Sequence, residues 1–171
     1  THEGLRLQVV NNLVWGQVRV GVAAQGCADC LVAHNSLALV DAGQPLRSLT
    51  GESASGAPSY TQDLRLINNL VHLDGRAPGS LLNFTADNLA GLVQSHNLYH
   101  YTGGPVSGLY SDTPIAGPGD VIDQDPRLGD PPSGDLTLRA GSPALGAGLP
   151  LPEVVRDVTG ACRAAANIGA Y

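Results

Sequence analysis

The side chains best suited to chemistry in this 171-residue chain are three carboxylates, a small set of histidines and a single tryptophan. Asp41 and Asp74 fall at comparable strand ends, and Asp87 follows a neighbouring strand. Two carboxyls flanking a glycosidic bond can hydrolyse it, one as acid and the other as base or nucleophile, so these residues are the candidate catalytic set. Acidic residues also occur at turns for purely local reasons, and that alternative stays open. Trp15, His72 and His100 offer aromatic and imidazole rings on which a sugar, or another subunit, could rest. His34 and His96 share a register with Asn11 and Asn68 and have no carboxylate paired with them in sequence, and a polar ladder at a corner explains all four.

Cys27 and Cys30 stand at CxxC spacing, with Cys162 far downstream. A zinc site needs two further ligands and a thioredoxin-like motif needs a βαβ setting, neither of which the sequence offers. The expectation is a turn disulfide between Cys27 and Cys30, with one thiol left over. Asp120, Asp123, Asp125, Asp130 and Asp135 could supply oxygen ligands to calcium, although they form no EF-hand loop; no other cofactor or metal is called for. Asn83-Phe84-Thr85 matches a glycosylation sequon, with Phe84 expected to pack inward.

All nine cationic residues are arginine, which removes lysine as a Schiff-base former or general base. The net charge of −6 and the lack of a basic cluster argue against nucleic acid. Aromatic residues make up 4% of the chain and hydrophobic residues 43%, so the core must be aliphatic. The 22 glycines and 12 prolines call for many turns and leave little room for long helices. No apolar run is long enough to span a bilayer and no signal peptide opens the chain. Thr1 leads straight into the strand-like Leu5-Arg6-Leu7-Gln8-Val9-Val10, which reads as the continuation of an upstream part on this or another chain. A nucleophilic N-terminal threonine is the alternative.

Four segments repeat one pattern, apolar alternation interrupted by a polar residue and an asparagine. The anchors Asn12, Asn35, Asn69 and Asn97 are spaced by 23, 34 and 28 residues, about one turn of a solenoid each. The longest interval holds residues 51–60, which read as an inserted loop. Aligned on the anchors, Val14, Leu37, Val71 and Tyr99 form one inward column, and Gly16, Leu39, Leu73 and Tyr101 another. Val9, Val32, Leu66 and Gln94, with Gln94 the misfit, form a third, and Leu7, Cys30, Leu64 and Leu92 a fourth. Trp15, Ala38, His72 and His100 fall between inward columns and should face solvent or lie under a loop. The anchors suit a left-handed corner, and their amides can bond from one turn to the next. Val18-Arg19-Val20-Gly21-Val22, Leu46-Arg47-Ser48-Leu49 and Ser80-Leu81-Leu82-Asn83-Phe84 supply a third strand per turn. The fold expected is all-β, a right-handed parallel β-helix of about four coils over residues 1–104, with a coil remnant and capping tail over 105–171.

The repeated asparagine turn resembles the right-handed parallel β-helix proteins of the pectate-lyase-like superfamily. The tail carries Asp125-Pro126-Arg127-Leu128, Gly134-Asp135-Leu136-Thr137-Leu138, Gly141-Ser142-Pro143-Ala144-Leu145-Gly146-Ala147-Gly148, Asp157-Val158-Thr159-Gly160, Arg163 and Asn167-Ile168-Gly169-Ala170-Tyr171. This succession is similar to the end of bacterial secreted β-helix proteins of the choice-of-anchor Q type. Gly146 and Asn167 stand where such proteins usually have Asp, and the Glu that commonly follows the final Tyr is absent. An open solenoid end needs a cap, which Asp157 and Arg163 could pair to fix.

The resemblance implies a secreted or surface-displayed module, adhesin-like or glycan-associated, with an exposed face as its working surface. It also allows a second reading, part of a polysaccharide lyase or glycosidase. A lyase usually employs Lys or Arg as base, which leaves Arg19, Arg47 and Arg65 as candidates. An upstream β-helix part or chain is the other expected partner.

Overall fold

Each repeat interrupts its apolar alternation at a polar pair, and in the computed structural model that pair is a corner between two short strands. The structure describes residues 4–41, 44–48, 51–52, 58–76, 81–84, 86–109, 116–163 and 165–171. Thr1, Leu49, Ser80, Thr85 and the middle of the 51–60 loop lie outside the described residues.

The left-handed backbone falls on the residue before each anchor, not on the anchor as expected. Asn11 (φ 58°), His34 (52°), Asn68 (59°) and His96 (53°) carry it. Asn and His tolerate this conformation better than most residues, which accounts for the polar column at that register. A second corner recurs at the same spacings in Arg6 (φ 54°), Asp29 (54°), Asp63 (51°) and Gly91 (69°).

The corners divide the chain among three parallel sheets. The first holds Gln8–Val10, Leu31–Ala33, Arg65–Ile67 and Val93–Ser95. The second holds Leu13–Gly16, Ser36–Val40, Leu70–Asp74, Leu98–Tyr101 and Val121–Ile122. The third holds Val20–Ala23, Gln44–Ser48 and Leu82–Phe84. Within every sheet the strands lie in chain order, and the pairings join Val14, Leu37, Val71, Tyr99 and Ile122 in one column. That column and the one through Leu39, Leu73 and Tyr101 enter a single aliphatic core with Val32, Leu66, Leu46, Leu82 and Phe84. Like residues thus stack on like along the molecule. Leu7 shares its register with buried Cys30 and Leu64 and is 53% exposed in the first of the described repeats.

Val106 and Leu109, in and beside a short 3-10 turn, close the far end of this core. The turn is fixed by Asp123, whose carboxylate accepts the Val106 amide at 2.7 Å.

Beyond this turn the tail lies along the outward faces of the second and first sheets. Its antiparallel hairpin, Leu128–Asp130 with Asp135–Leu138, turns through Pro131–Ser133. Leu128, Leu136, Ala144 and Ile168 pack on Ala38, Leu70 and Leu98, on the outward face of the second sheet. Further on, Leu151 and Val154 cover Leu31, Ala33 and Ile67 of the first sheet. The reason lies in the strands: their outward residues are also apolar, and each large aliphatic side chain covered contributes ~1.5–3 kcal/mol.

Asp157 and Arg163 do not pair as expected. Asp157 accepts the Thr159 and Ala161 amides and the Thr159 hydroxyl, closing a local turn. Arg163 reaches across to the Asn11 side chain at 2.7 Å and donates to the Ala170 and Tyr171 carbonyls. No helix among the described residues is long and apolar enough to cross a membrane.

Candidate functional site

The four anchors form one directional ladder. Asn12 donates its backbone and side-chain N–H groups to Asn35 Oδ1 at 3.0 and 2.8 Å, and Asn35 and Asn69 repeat the pattern onto Asn69 and Asn97. Asn97 passes it to Asp120 Oδ1 at 2.7 and 3.3 Å. The side-chain amides of Asn35, Asn69 and Asn97 also donate to Val9, Val32 and Leu66 carbonyls. These amides are fully engaged, so the row is structural. Asp120 ends it as an acceptor that cannot donate, and burial raises its carboxyl above the ordinary range against the pull of the Asn97 and Gly117 amides.

The register that binds Trp15, Ala38, His72 and His100 into one column sets the candidate site on the outward face of the second sheet. The column was expected to face solvent or to lie under a loop. The tail hairpin overhangs it, leaving Trp15 49% exposed, Ala38 buried and both histidines half-buried. A left-handed Gly134 (φ 86°) lets the hairpin end come against the Trp15 indole, where any Cβ would collide with the ring.

Between hairpin and sheet runs an open cleft of about 390 Å³ lined by His72, Asp125, Arg127, Leu128, Pro131 and Arg139. It adjoins a smaller one of about 220 Å³ lined by Ala38, Val40, His72, Asp74, Pro131 and Pro132. His72 and Pro131 belong to both, so they form one groove with a charged end and an apolar end. Arg139 also donates to the Gly129 carbonyl across the hairpin, which holds its guanidinium in place. Burial and the neighbouring His100 push the His72 imidazole below its ordinary range, while Asp125 and Asp74 pull the other way. The groove can therefore offer ring faces, arginine donors and carboxylate acceptors to a polar ligand.

Sequence reasoning did not connect Arg127, Arg139 or Pro131 with His72. They follow the last repeat, and no spacing relates them to it. Asp120 was more legible, since it stands 23 residues after Asn97 and precedes Val121 and Ile122, but an Asp in the place of an Asn concealed it.

Asp41 and Asp74 sit at adjoining turns, where the Asp41 amide donates to the Asp74 carbonyl at 3.0 Å. Their carboxylates serve those turns: Asp41 accepts the Arg76 amide, and Asp74 accepts the Gly75 amide and the Thr102 hydroxyl. The Thr102 hydroxyl and the Gly75 amide hold the Asp74 carboxyl below the ordinary range, opposite to what a general acid needs. Asp87 lies apart, on a 3-10 turn after the third sheet.

The expected Cys27–Cys30 disulfide is corrected: both are free, buried thiols, and Cys162 is free and exposed. Cys30 fills an inward core register and Cys27 packs in the same core. Burial, with Cys30 beside it, pushes the Cys27 thiol up to about 12, which leaves it protonated and a poor metal ligand. The five tail carboxylates do not converge on calcium either. Asp125 and Asp135 accept amides of their own turns, and among the described residues no three His, Cys, Asp or Glu side chains gather as a metal site. Phe84 is buried as expected, and Asn83 lies on its strand in the third sheet. No family model, no curated protein and no solved structure matches this chain.

Proposed function

We propose that this chain is a right-handed parallel β-helix module, secreted or displayed at a cell surface, that binds a glycan in the groove beneath its tail hairpin. The solenoid reading is supported by three parallel sheets that each gain strands in chain order, with corners recurring at one set of spacings. The motifs of the tail support the resemblance to choice-of-anchor Q proteins and, through it, the extracellular setting.

One observation carries the binding reading: the chain's single tryptophan is half-exposed, in register with His72, beside a groove that joins apolar and charged walls. Trp15 and His72 are separated by one intervening strand, about 10 Å at the usual strand spacing, a span that suits alternate rings of an extended sugar chain. The lone tryptophan also supplies the assay. Titration with cellohexaose, xylohexaose and oligogalacturonate should change its fluorescence for at least one of them. Trp15→Ala, followed by calorimetry, should weaken that ligand about three- to tenfold, because an aromatic platform contributes ~0.5–1.5 kcal/mol beyond its buried area. Absence of binding to every probe would remove the glycan reading. Release of reducing or unsaturated ends would replace it with the lyase or glycosidase alternative.

A further inference from the structure

His72 and His100 occupy the same register on adjacent strands, and their Nδ1 atoms are 2.9 Å apart. The ring centroids are separated by 5.1 Å and the planes differ by 16°. The nitrogen separation is shorter than the centroid separation by about two ring radii, which requires both nitrogens to lie on the line between the rings. The rings therefore meet edge to edge, nearly coplanar, in an Nδ1–H···Nδ1 hydrogen bond.

This geometry constrains the protons. In the neutral pair one ring donates through Nδ1–H and keeps a bare Nε2, while the other accepts at Nδ1 and carries Nε2–H. The pair thus presents one acceptor and one donor at its outer nitrogens. A first added proton must go to the bare Nε2, which leaves the central bond intact and charge-assisted. A second would have to occupy the accepting Nδ1, setting two N–H groups against each other at 2.9 Å.

We propose that His72 and His100 are a one-proton pair that switches the groove between a donor–acceptor surface suited to neutral sugar hydroxyls and a double-donor surface suited to oxyanions. The charged groups that face His72, the member of the pair that lines the groove, permit this: Asp74 on the same strand, and Asp125, Arg127 and Arg139 from the tail. Ala38, the neighbour on the other side, and Pro131 bring no charge. The switch rests on the groove being the ligand site proposed above, but the proton count can be read without any ligand.

The test is a ¹⁵N imidazole NMR titration of the full chain from pH 9 to pH 4, alongside His72→Gln and His100→Gln. The wild type should take up a single proton on one Nε2 of the pair, with the second deferred to markedly lower pH. In each variant the remaining histidine should titrate alone, without the Nδ1 hydrogen bond. Two independent protonations in the wild type over one range, or a His72 titration unchanged by His100→Gln, would overturn the pair. Sulfate titrated into the protein should bind up to about tenfold tighter per pH unit on acidification, the slope of one linked proton, and show no such slope in the double variant. A pH-independent sulfate affinity in the wild type would overturn the donor switch. If the pair behaves as one proton and sulfate follows it while no oligosaccharide binds, the glycan reading fails and the switch stands.

Discussion

At the scale of single residues, His34 is an ionisable group held on both ring nitrogens. Its side chain is buried at a left-handed corner, with Nδ1 3.2 Å from the Gly169 carbonyl and Nε2 2.9 Å from the Asn68 side-chain amide. Only one neutral tautomer satisfies both partners, donating from Nδ1 and accepting at Nε2. Burial, and then the Arg163 guanidinium, push its pKa down to about 4. The unfolded chain therefore binds this proton more readily than the folded one between about pH 6.5 and 4. Stability should fall as pH drops through that window and lose nothing further to this residue below it. His34→Asn should flatten the dependence, since Asn11 and Asn68 already occupy the equivalent corners. Urea midpoints at pH 7, 5 and 4 measure both slopes, and an unchanged slope in the variant would show that His34 is not the group responsible.

Among the elements, the asparagine ladder distinguishes an interior turn from an edge turn. Asn69 accepts two N–H groups from Asn35 and donates to Asn97 Oδ1 and the Val32 carbonyl, all buried. Asn69→Ala takes away the acceptor of the Asn35 backbone amide and one of the donors to the Val32 carbonyl, at ~1–3 kcal/mol for the buried amide left unpaired. Asn12→Ala acts on the exposed first repeat, where water can replace the lost partners, and should cost ~1 kcal/mol or less. Denaturant unfolding should order the two variants that way, and equal losses would mean that the ladder contributes the same at the edge as inside. The ladder was legible in the sequence because one residue type recurs at one register. The left-handed corner beside it was displaced by one position, since Asn11, His34, Asn68 and His96 do not look alike as letters. What they share is tolerance of positive φ, a property of backbone sterics that a search for identical residues does not find.

For the molecule as a whole, apolar alternation made the inward columns readable, whereas the tail's route was not. Leu13, Leu70, Leu98, Leu31 and Ile67 also face outward, and a period of two cannot say whether such residues meet solvent, a tail or a partner. The groove exists only because the tail settles on that face, so the candidate site depends on contacts between residues more than fifty positions apart. Arg163 is one of these ties: its guanidinium joins Asn11 of the first repeat to the Ala170 and Tyr171 carbonyls, and burial lowers its pKa against the pull of Asp157. Arg163→Ala removes the donor these acceptors share, although the Ala170 carbonyl keeps the Val158 amide, and should release the end of the tail before the stacked repeats unfold. Hydrogen exchange should then quicken at Ile168, Gly169 and Ala170, whose amides bond to Ala144, Asn68 and Ser36, while Val71 and Tyr99 in the core keep their protection. Arg163→Lys retains the charge but reaches fewer of these acceptors, and should fall between the two. Uniform loss of protection in both regions would mean that the tail and the repeats unfold as one cooperative unit, with the groove as stable as the core beneath it.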